Sequence, residues 1–212
     1  MDRTRHWYTR TTAMIDPTGD ELLEQIGIQL AAGENLPEVR AASTRIARRL
    51  AASRTKIIGL VPADDRVAVP PVAIQIGTAL CDLTGAPCAV VDANVRYPGL
   101  SALATTPNED GSSVYSTRWI RGSLALLTPP RAERAGEIVP QLARLLLDGV
   151  DVFAHVLCDL TGLELVGEHA SAAACMDSVI IVARAHRTHE DELLALRRLM
   201  PAHRFLGVLL VG

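Results

Sequence analysis

Aromatic residues are scarce in this sequence, which has two Trp, three Tyr and two Phe among 212 residues. Because hydrophobic residues still make up 49% of the chain, Ala, Val, Ile and Leu must fill its interior. Aliphatic cores of this kind are typical of helices that cover both faces of a parallel sheet. The composition therefore predicts an α/β protein, and the length suits one domain.

The cysteines lack the CxxC pairing that zinc ribbons and dithiol redox motifs require. They lie singly in apolar segments, at Cys81, Cys88, Cys158 and Cys175. Since free cysteine is among the most buried residue types, we expect all four to be reduced core residues and predict no metal site.

An excess of positive charge and a long apolar run are also missing. The net charge of -3 and the pI near 6.1 give no broad attraction for nucleic acid or anionic lipid. No apolar run approaches the roughly 20 residues that span a bilayer, and the opening MDRTRHWYTRTT lacks the apolar centre of a secretory signal. We expect a cytoplasmic protein without a transmembrane segment or a nucleic-acid partner.

The chain divides into an N-terminal arm and one domain. Residues 1–19 are polar and aperiodic, which predicts a flexible arm. Residues 20–212 are expected to form a single α/β domain, with residues 20–54 as a helical lead-in. The helix that begins near Pro37 has an arginine-bearing face, which is either solvated or contacts an acidic partner or membrane surface.

Apolar runs of strand length alternate with amphipathic helical patterns after residue 56. The predicted strands are Ile57–Val61, Ala89–Val91, Leu124–Leu127, Val152–Leu157, Val179–Ala183 and Phe205–Val211. The helical patterns are Val72–Leu83, Ala135–Leu145 and Leu193–Met200. This alternation predicts right-handed crossovers and a three-layer α/β/α domain with a mainly parallel sheet.

In such a sheet, ligands bind beyond the carboxyl ends of the strands. The informative segments are therefore Pro62–Pro71, Asp92–Pro98 and Asp159–Gly162. The segment His186–Asp191 offers metal-ligating side chains, but its acidic residues also suit the first turn of a solvated helix, which we favour. No Gly-x-Ser-x-Gly elbow supports a serine hydrolase.

The order of these segments resembles the deviant-Walker P-loop ATPases of bacterial septum placement and partition. It resembles most closely the cytoplasmic domains of the bacterial tyrosine kinases of capsule and exopolysaccharide biosynthesis. The resemblance covers about residues 36–212: VVDANVRYPGL is similar to the family's second acidic motif, VLCDLTG to its Walker B strand, and MDSVIIVARAHRT and FLGVLLVG to its last two strands. It implies a P-loop NTPase-like fold.

The resemblance also implies where the phosphate-binding loop would lie. An ungapped match places the family's lysine on Val69, its Ser/Thr pair on Pro70 and Pro71, and its last loop glycines on Arg66 and Ala68. A working loop needs glycines to curl around phosphate, a lysine to reach it and a hydroxyl on Mg²⁺. The two prolines also remove N–H donors from the helix start. We therefore predict a degenerate Walker A loop.

Two acidic residues precede these positions. Asp64 and Asp65 place negative charge where phosphate would enter, which disfavours binding by about 1 to 4 kcal/mol. Arg66 is an alternative phosphate contact, although it supplies a cation without the N–H nest.

Four further positions match the family's nucleotide and Mg²⁺ site. Asp92 matches the first acidic residue, Asn94 replaces the second, Arg96 matches the arginine and Asp159 lies at the Walker B position. The asparagine weakens cation coordination. Alternatively, Asp92 and Arg96 cap element ends or pair with each other, and Asp159 accepts hydrogen bonds from the turn at Thr161.

The kinases' C-terminal tyrosine cluster has no counterpart among Tyr8, Tyr97 and Tyr115. We therefore predict a pseudo-ATPase, with no catalytic residue and no cofactor, that acts as a protein-interaction or regulatory subunit in polysaccharide assembly or spatial organisation. The alternative is a divergent ATP-binding hydrolase or tyrosine kinase that binds ATP or ADP with Mg²⁺ through Arg66, Asp92, Arg96 and Asp159.

Family members dimerise across the nucleotide face. The resemblance therefore implies a homodimer, or a heterodimer with a related active ATPase. A membrane-bound polysaccharide-assembly protein is a further candidate partner, and it would hold the chain at the periphery of the inner membrane.

Overall fold

The protein was analysed as a computed structural model, which describes residues 36–94, 100, 116–120, 123–128, 135–148 and 150–212, and positions 21, 23, 24 and 28 before them. The helices are α1 (Leu36–Ala52), α2 (Val69–Thr84), α3 (Ile138–Asp148), α4 (His169–Ala174) and α5 (Glu190–Leu199). The strands are β1 (Ile57–Pro62), β2 (Cys88–Asp92), β3 (Ser116–Ile120), β4 (Leu124–Thr128), β5 (His155–Asp159), β6 (Ser178–Arg184) and β7 (Phe205–Val211). Short 3₁₀ turns span Ala135–Glu137 and Leu163–Val166.

The strands form one sheet in the order β3-β4-β2-β5-β1-β6-β7. Every neighbouring pair is parallel except β3 and β4. This topology confirms the predicted α/β fold with a mainly parallel sheet. The central strands β1, β2, β4 and β5 are buried almost throughout, which explains why they read as continuous apolar runs.

Two apolar clusters lie on opposite faces of the sheet. Helices α1 and α2 contribute Ala47, Leu50, Ile76 and Leu80 to the first cluster. On the other face, α3 and α4 contribute to the second cluster. The three layers are therefore two helical layers around a central sheet, as the alternation of elements predicts.

Helix α2 begins and ends where its sequence predicts. Pro70 and Pro71 lie in its first turn, where a missing N–H costs no helical hydrogen bond. Gly85 ends the helix in the left-handed conformation, with φ of 66°. In the middle, a Cβ on Gly77 would lie 2.8 Å from a methyl carbon of Leu124, so a glycine lets α2 pack closely on β4.

The largest error in a predicted strand boundary is at the start of β5, the other strand ends differ from the prediction by two residues or fewer, and strand β3 and helix α4 were not predicted. The run Val152–Leu157 was expected to be extended from its start, but Val152 is an exposed turn residue and β5 begins at His155. Strand β3, STRWI, is a half-exposed antiparallel edge with two apolar residues, so it gives no apolar run. Helix α4 has only six residues, too few for a visible period.

Three further expectations concern membrane-spanning helices, the four cysteines and the N-terminal arm. Within the described residues, no helix is long and apolar enough to cross a membrane. Cys81, Cys88 and Cys158 are buried and free as predicted, whereas Cys175 is partly exposed. The proposed arm, residues 1–19, lies outside the described residues, as do Arg96, Tyr97 and Tyr115.

Candidate functional site

The carboxyl ends of β1, β5 and β2 lie side by side in the middle of the sheet. In the strand register, Leu60 of β1 and Asp92 of β2 both pair with Asp159 of β5. The loop that follows β1 and the polar residues that follow β2 and β5 therefore meet at one edge, as expected for a ligand site in a sheet of this order.

The loop between β1 and α2, residues 63–68, is held by two hydrogen bonds within itself and one to β6. The Arg66 N–H donates to Asp64 Oδ1 at 2.7 Å, and the Val67 N–H donates to the Asp64 carbonyl oxygen at 3.3 Å. The Ala63 N–H donates to the Val182 carbonyl oxygen at 2.7 Å. Three loop N–H groups that could face an anion are therefore bonded within the protein.

The loop also lacks the backbone shape of an anion nest. A nest alternates right-handed and left-handed residues so that successive N–H groups point to one centre. All of residues 63–68 are described, and none has a positive φ. No glycine occurs among them, and Ala68, which precedes α2, is extended with φ of -81° and ψ of 98°. The backbone here is a tight turn rather than a cradle.

Val69, the residue at the family's lysine position, belongs to the protein interior. Its side chain is 0% exposed and packs in the same cluster as Val67 and Ala73. Asp65, Arg66 and Ala68 are exposed. The loop thus directs two valines inward and presents an acidic, a basic and a small side chain to solvent.

Sequence reasoning missed the contact that fixes Asp64. A guanidinium nitrogen of Arg184, the last residue of β6, lies 3.2 Å from Asp64 Oδ2. The predicted negative charge of Asp64 is therefore partly compensated by Arg184, which corrects the expectation that both aspartates act as uncompensated charges. Arg184 directly follows the apolar run Val179–Ala183, so the rule that selects residues after each strand would have found it.

Asp92, Asn94 and Asp159 form a buried polar cluster. Asn94 Nδ2 donates to Asp159 Oδ2 at 3.3 Å. Asp92 accepts the N–H groups of Asn94 at 3.2 Å and of Leu100 at 3.0 Å. The Asp159 Oδ1 atom accepts both the N–H and the hydroxyl of Thr161, at 3.0 and 2.5 Å. The structure thus brings together three predicted positions and gives them the capping and turn contacts that were the alternative interpretation.

Burial changes the acidity of Asp159. Its side chain is 0% exposed, and this desolvation raises the pKa from 3.8 to about 6. The hydrogen bonds from Thr161 and Asn94 lower the pKa and offset part of the effect. Asp159 is therefore a carboxyl with a raised pKa at this edge, and perturbed carboxyls are common at functional sites.

A metal site needs more donors than the structure places together. In the described part of the chain, no group of three or more His, Cys, Asp or Glu side chains is arranged to hold a metal ion. The segment His186–Asp191 instead starts α5: His189 is the N-cap residue and forms a capping box with Glu192. Glu190 and Asp191 lie in the first turn, as the favoured interpretation predicts.

Comparison with solved structures identifies the architecture. The kinase domain of VpsO matches with a TM-score of 0.67 and 19% identity, over 84% of this chain and 96% of that domain. The kinase domain of the Escherichia coli tyrosine kinase ETK matches with a TM-score of 0.64 and 18% identity, over 91% of this chain and 92% of that one. This chain has the fold of the deviant-Walker P-loop ATPases. The predicted fold resemblance is therefore confirmed.

A cell-division protein also has a structure similar to that of this chain. MinD from Aquifex aeolicus matches with a TM-score of 0.52 and 18% identity, over 73% of this chain and 68% of that one, and a MinC:MinD complex matches as well. No protein-family model matches the sequence, and no curated protein does. At these identities, the similarity shows the fold alone.

The closed loop gives a direct prediction. Asp64→Ala removes the acceptor of the Arg66 N–H and the partner of Arg184, so we expect the free energy of unfolding to fall by about 1 kcal/mol. We also expect faster hydrogen exchange at the Arg66 amide. Arg184→Ala is the matched control, because it removes the ion pair but leaves the Arg66 hydrogen bond. Equal exchange at Arg66 in both variants would contradict the assigned closure.

Proposed function

We propose that this chain is a pseudo-ATPase: a non-catalytic protein with the fold of bacterial tyrosine kinases and partition ATPases. The loop between β1 and α2 carries the proposal, because three of its N–H groups are bonded internally and Val69 is buried where the family has lysine. Phosphate binding at this position depends on free N–H groups and a lysine. The described loop has no lysine, and half of its six N–H groups are already bonded within the protein.

The role that we propose for such a protein is protein interaction or regulation in polysaccharide assembly or spatial organisation. The structures of similar fold are described as kinase domains, in VpsO and ETK, and as a cell-division protein, in MinD. Large apolar side chains also remain exposed on α5 and β7, which suits a protein that works through contacts, at Leu194, Leu199, Leu206, Val208 and Leu210.

Isothermal titration with ATP and with ADP, each with Mg²⁺, tests the proposal. We expect no binding at micromolar nucleotide, and an active ATPase of this fold serves as the positive control. Binding with micromolar affinity would overturn the pseudo-ATPase assignment, whereas a flat titration beside a responding control supports it.

The buried cluster of Asp92, Asn94 and Asp159 favours a second candidate. A divergent hydrolase or tyrosine kinase would use Asp92 and Asp159 to arrange Mg²⁺, with Arg66 and Arg96 as phosphate contacts. This candidate requires nucleotide to accompany the protein through purification. It also requires turnover to be lost in Asp159→Ala, so an absence of both would exclude it.

We propose a second copy of the chain or a related active ATPase as the partner. The MinC:MinD complex supports a partner-binding role for this fold. A membrane-bound polysaccharide-assembly protein is the further candidate, and the chain would then be cytoplasmic and held peripherally at the inner membrane. Light scattering of the chain, alone and mixed with an active relative, measures this association. A chain that stays monomeric in both samples would contradict both the homodimer and the heterodimer.

A further inference from the structure

Strand β7 lies at one edge of the sheet. Within the described residues it pairs with β6 alone. The Val211 carbonyl oxygen accepts the Ala185 N–H at 2.8 Å, so the backbone groups of Val211 point towards the β6 side. Because backbone groups alternate in direction along a strand, those of Leu206, Val208 and Leu210 point to the open side. Another strand can therefore pair with these three residues.

The side chains of the same three residues form an exposed apolar row. Leu206, Val208 and Leu210 are 45%, 42% and 60% exposed. The strand contains no charged residue and no proline, which are residues that commonly protect a sheet edge from association. Its register with β6 shifts near the start, between the partners of Val179 and Ile180, and is regular from there on. Strand β7 is therefore an edge strand suited to association.

The apolar row lies on the same face of the sheet as α5. Leu209 and Val211, which alternate with the row, pack against the first cluster on the opposite face. Helix α5 leads into Met200, which belongs to the second cluster. No residue of α5 is buried, so this helix leaves the apolar row uncovered.

One flank of α5 carries an acid, a leucine and an arginine in line. Glu190, Leu194 and Arg198 are four residues apart and exposed, so they form a charged row along the helix. Arg197 is three residues from Leu194 on the same flank, and its guanidinium carbon lies 4.5 Å from the centre of the Phe205 ring in β7. The charged row therefore runs along the β7 side of the helix, beside the apolar row.

The apolar row is complementary to itself in the antiparallel direction. A twofold axis at Val208, perpendicular to the sheet, places the two Val208 residues of a pair of copies opposite each other. The same axis places Leu206 opposite Leu210 of the second copy. The outward N–H and C=O groups then form about six hydrogen bonds between the copies. The two sheets become continuous, and the apolar side chains contact their counterparts.

The charged row on α5 is complementary to itself in the same way. The helix of the second copy runs antiparallel on the same face, so Glu190 of one copy lies opposite Arg198 of the other. The two Leu194 residues lie opposite each other between these charges. Opposite charges are therefore paired at both ends of the helix contact.

One axis serves both rows because their centres lie at similar heights on the sheet. The contact between Arg197 and Phe205 marks a common level. From that level, Leu194 is three residues along the helix, which is about 4.5 Å. In the same direction, Val208 is two residues further in the register with β6, which is about 7 Å. The two centres thus differ in height by less than the length of one strand residue.

We propose that a second copy of this chain binds the open edge of β7, through an antiparallel β7–β7 pair with its twofold axis at Val208. The match of Glu190 with Arg198 favours a second copy over an unrelated apolar strand, which would pair with β7 but leave the charged row unmatched. The inference rests on the homodimer proposed above and assigns it a surface. This surface differs from the edge that holds Asp92 and Asp159, so it does not depend on nucleotide binding.

Sedimentation velocity of the full chain over a concentration series tests the proposal. We expect a dimer with a dissociation constant of about 10 μM. Val208→Lys places two like charges opposite each other at the axis, so we expect the dissociation constant to rise at least about 100-fold. Leu147→Lys on α3 is the matched control, because Leu147 is 78% exposed, and this variant should dimerise as the parent does. A chain that stays monomeric up to about 100 μM would overturn the proposal.

A further lysine variant separates this surface from the nucleotide edge. Leu165 is exposed and follows the carboxyl end of β5. If Leu165→Lys abolishes the dimer and Val208→Lys does not, the homodimer stands but its surface is the nucleotide edge, and the β7 proposal is wrong.

Charge reversal tests the arrangement of α5. Arg198→Glu places acid opposite acid, and we expect it to weaken the dimer about tenfold. Adding Glu190→Arg to the same chain restores opposite charges between the copies and should restore the affinity. A double variant no tighter than Arg198→Glu would contradict the antiparallel helices.

Cysteine cross-linking in a Cys175→Ser background tests the register. The axis places the two copies of residue 208 about 5.5 Å apart at Cα, so Val208→Cys should form an intermolecular disulfide on oxidation. The two copies of residue 210 are about 14 Å apart, so Leu210→Cys should not. Equal cross-linking of the two variants would rule out the axis at Val208.

Discussion

Lysine at position 69 is expected to destabilise the protein by about 3 kcal/mol or more, and not to restore nucleotide binding. Val69 is 0% exposed and packs among apolar side chains, so Val69→Lys places a charge in the interior without a partner. In a working P-loop the corresponding lysine points towards the phosphates, so its charge is not buried among apolar side chains. Urea unfolding measures the change in the free energy of unfolding.

Ala68→Lys is the matched control, because Ala68 is exposed and directly precedes Val69. We expect this variant to change the free energy of unfolding by less than about 0.5 kcal/mol. If Val69→Lys folds as stably as the control and binds ATP, the side chain at position 69 can turn towards the site. The loop would then be a phosphate cradle that lacks its lysine, and the pseudo-ATPase proposal would be wrong.

The sheet could be predicted because its inner strands are buried on both faces and therefore appear in the sequence as continuous apolar runs. Six strands were predicted, and β7 has the predicted bounds, Phe205–Val211. Strand β3 could not be found in this way, because Ser116, Thr117 and Arg118 leave only two apolar residues in this antiparallel edge strand. The prediction that β5 begins at Val152 was wrong because an apolar residue in a turn cannot be distinguished from a strand residue by its sequence pattern alone.

The candidate site was predictable to the extent that strand ends determine it. The meeting of Asp92, Asn94 and Asp159 follows from parallel strands whose carboxyl ends share one edge. The pair Asp64 and Arg184 is 120 residues apart in sequence and depends on β6 lying beside β1, which strand order alone decides. The backbone dihedral angles of residues 63–68 and the burial of Val69 likewise depend on tertiary packing, so they could not be predicted from the local sequence pattern.

Asp159→Asn is expected to stabilise the protein at pH 8 by about 3 kcal/mol and to have little effect below pH 4. Burial raises the pKa of Asp159 from 3.8 to about 6, so the folded state holds this proton more tightly than the unfolded state. The stabilising contribution of the carboxyl is therefore fully present below pH 4 and is lost as the pH rises through 6. The asparagine carries no charge at any of these pH values and avoids that loss.

The substitution keeps the shape of the site. The amide oxygen can still accept from Thr161, and a rotated Asn94 amide can accept from the new side-chain nitrogen in place of donating to Asp159. Urea unfolding of both proteins between pH 4 and 8 measures the difference, and Asp151→Asn, which removes an exposed carboxyl, corrects for the change in net charge. A variant that is less stable than the parent protein at pH 8 would mean that the ionised Asp159 is stabilised by a cationic contact, and the enzyme candidate would gain support over the pseudo-ATPase.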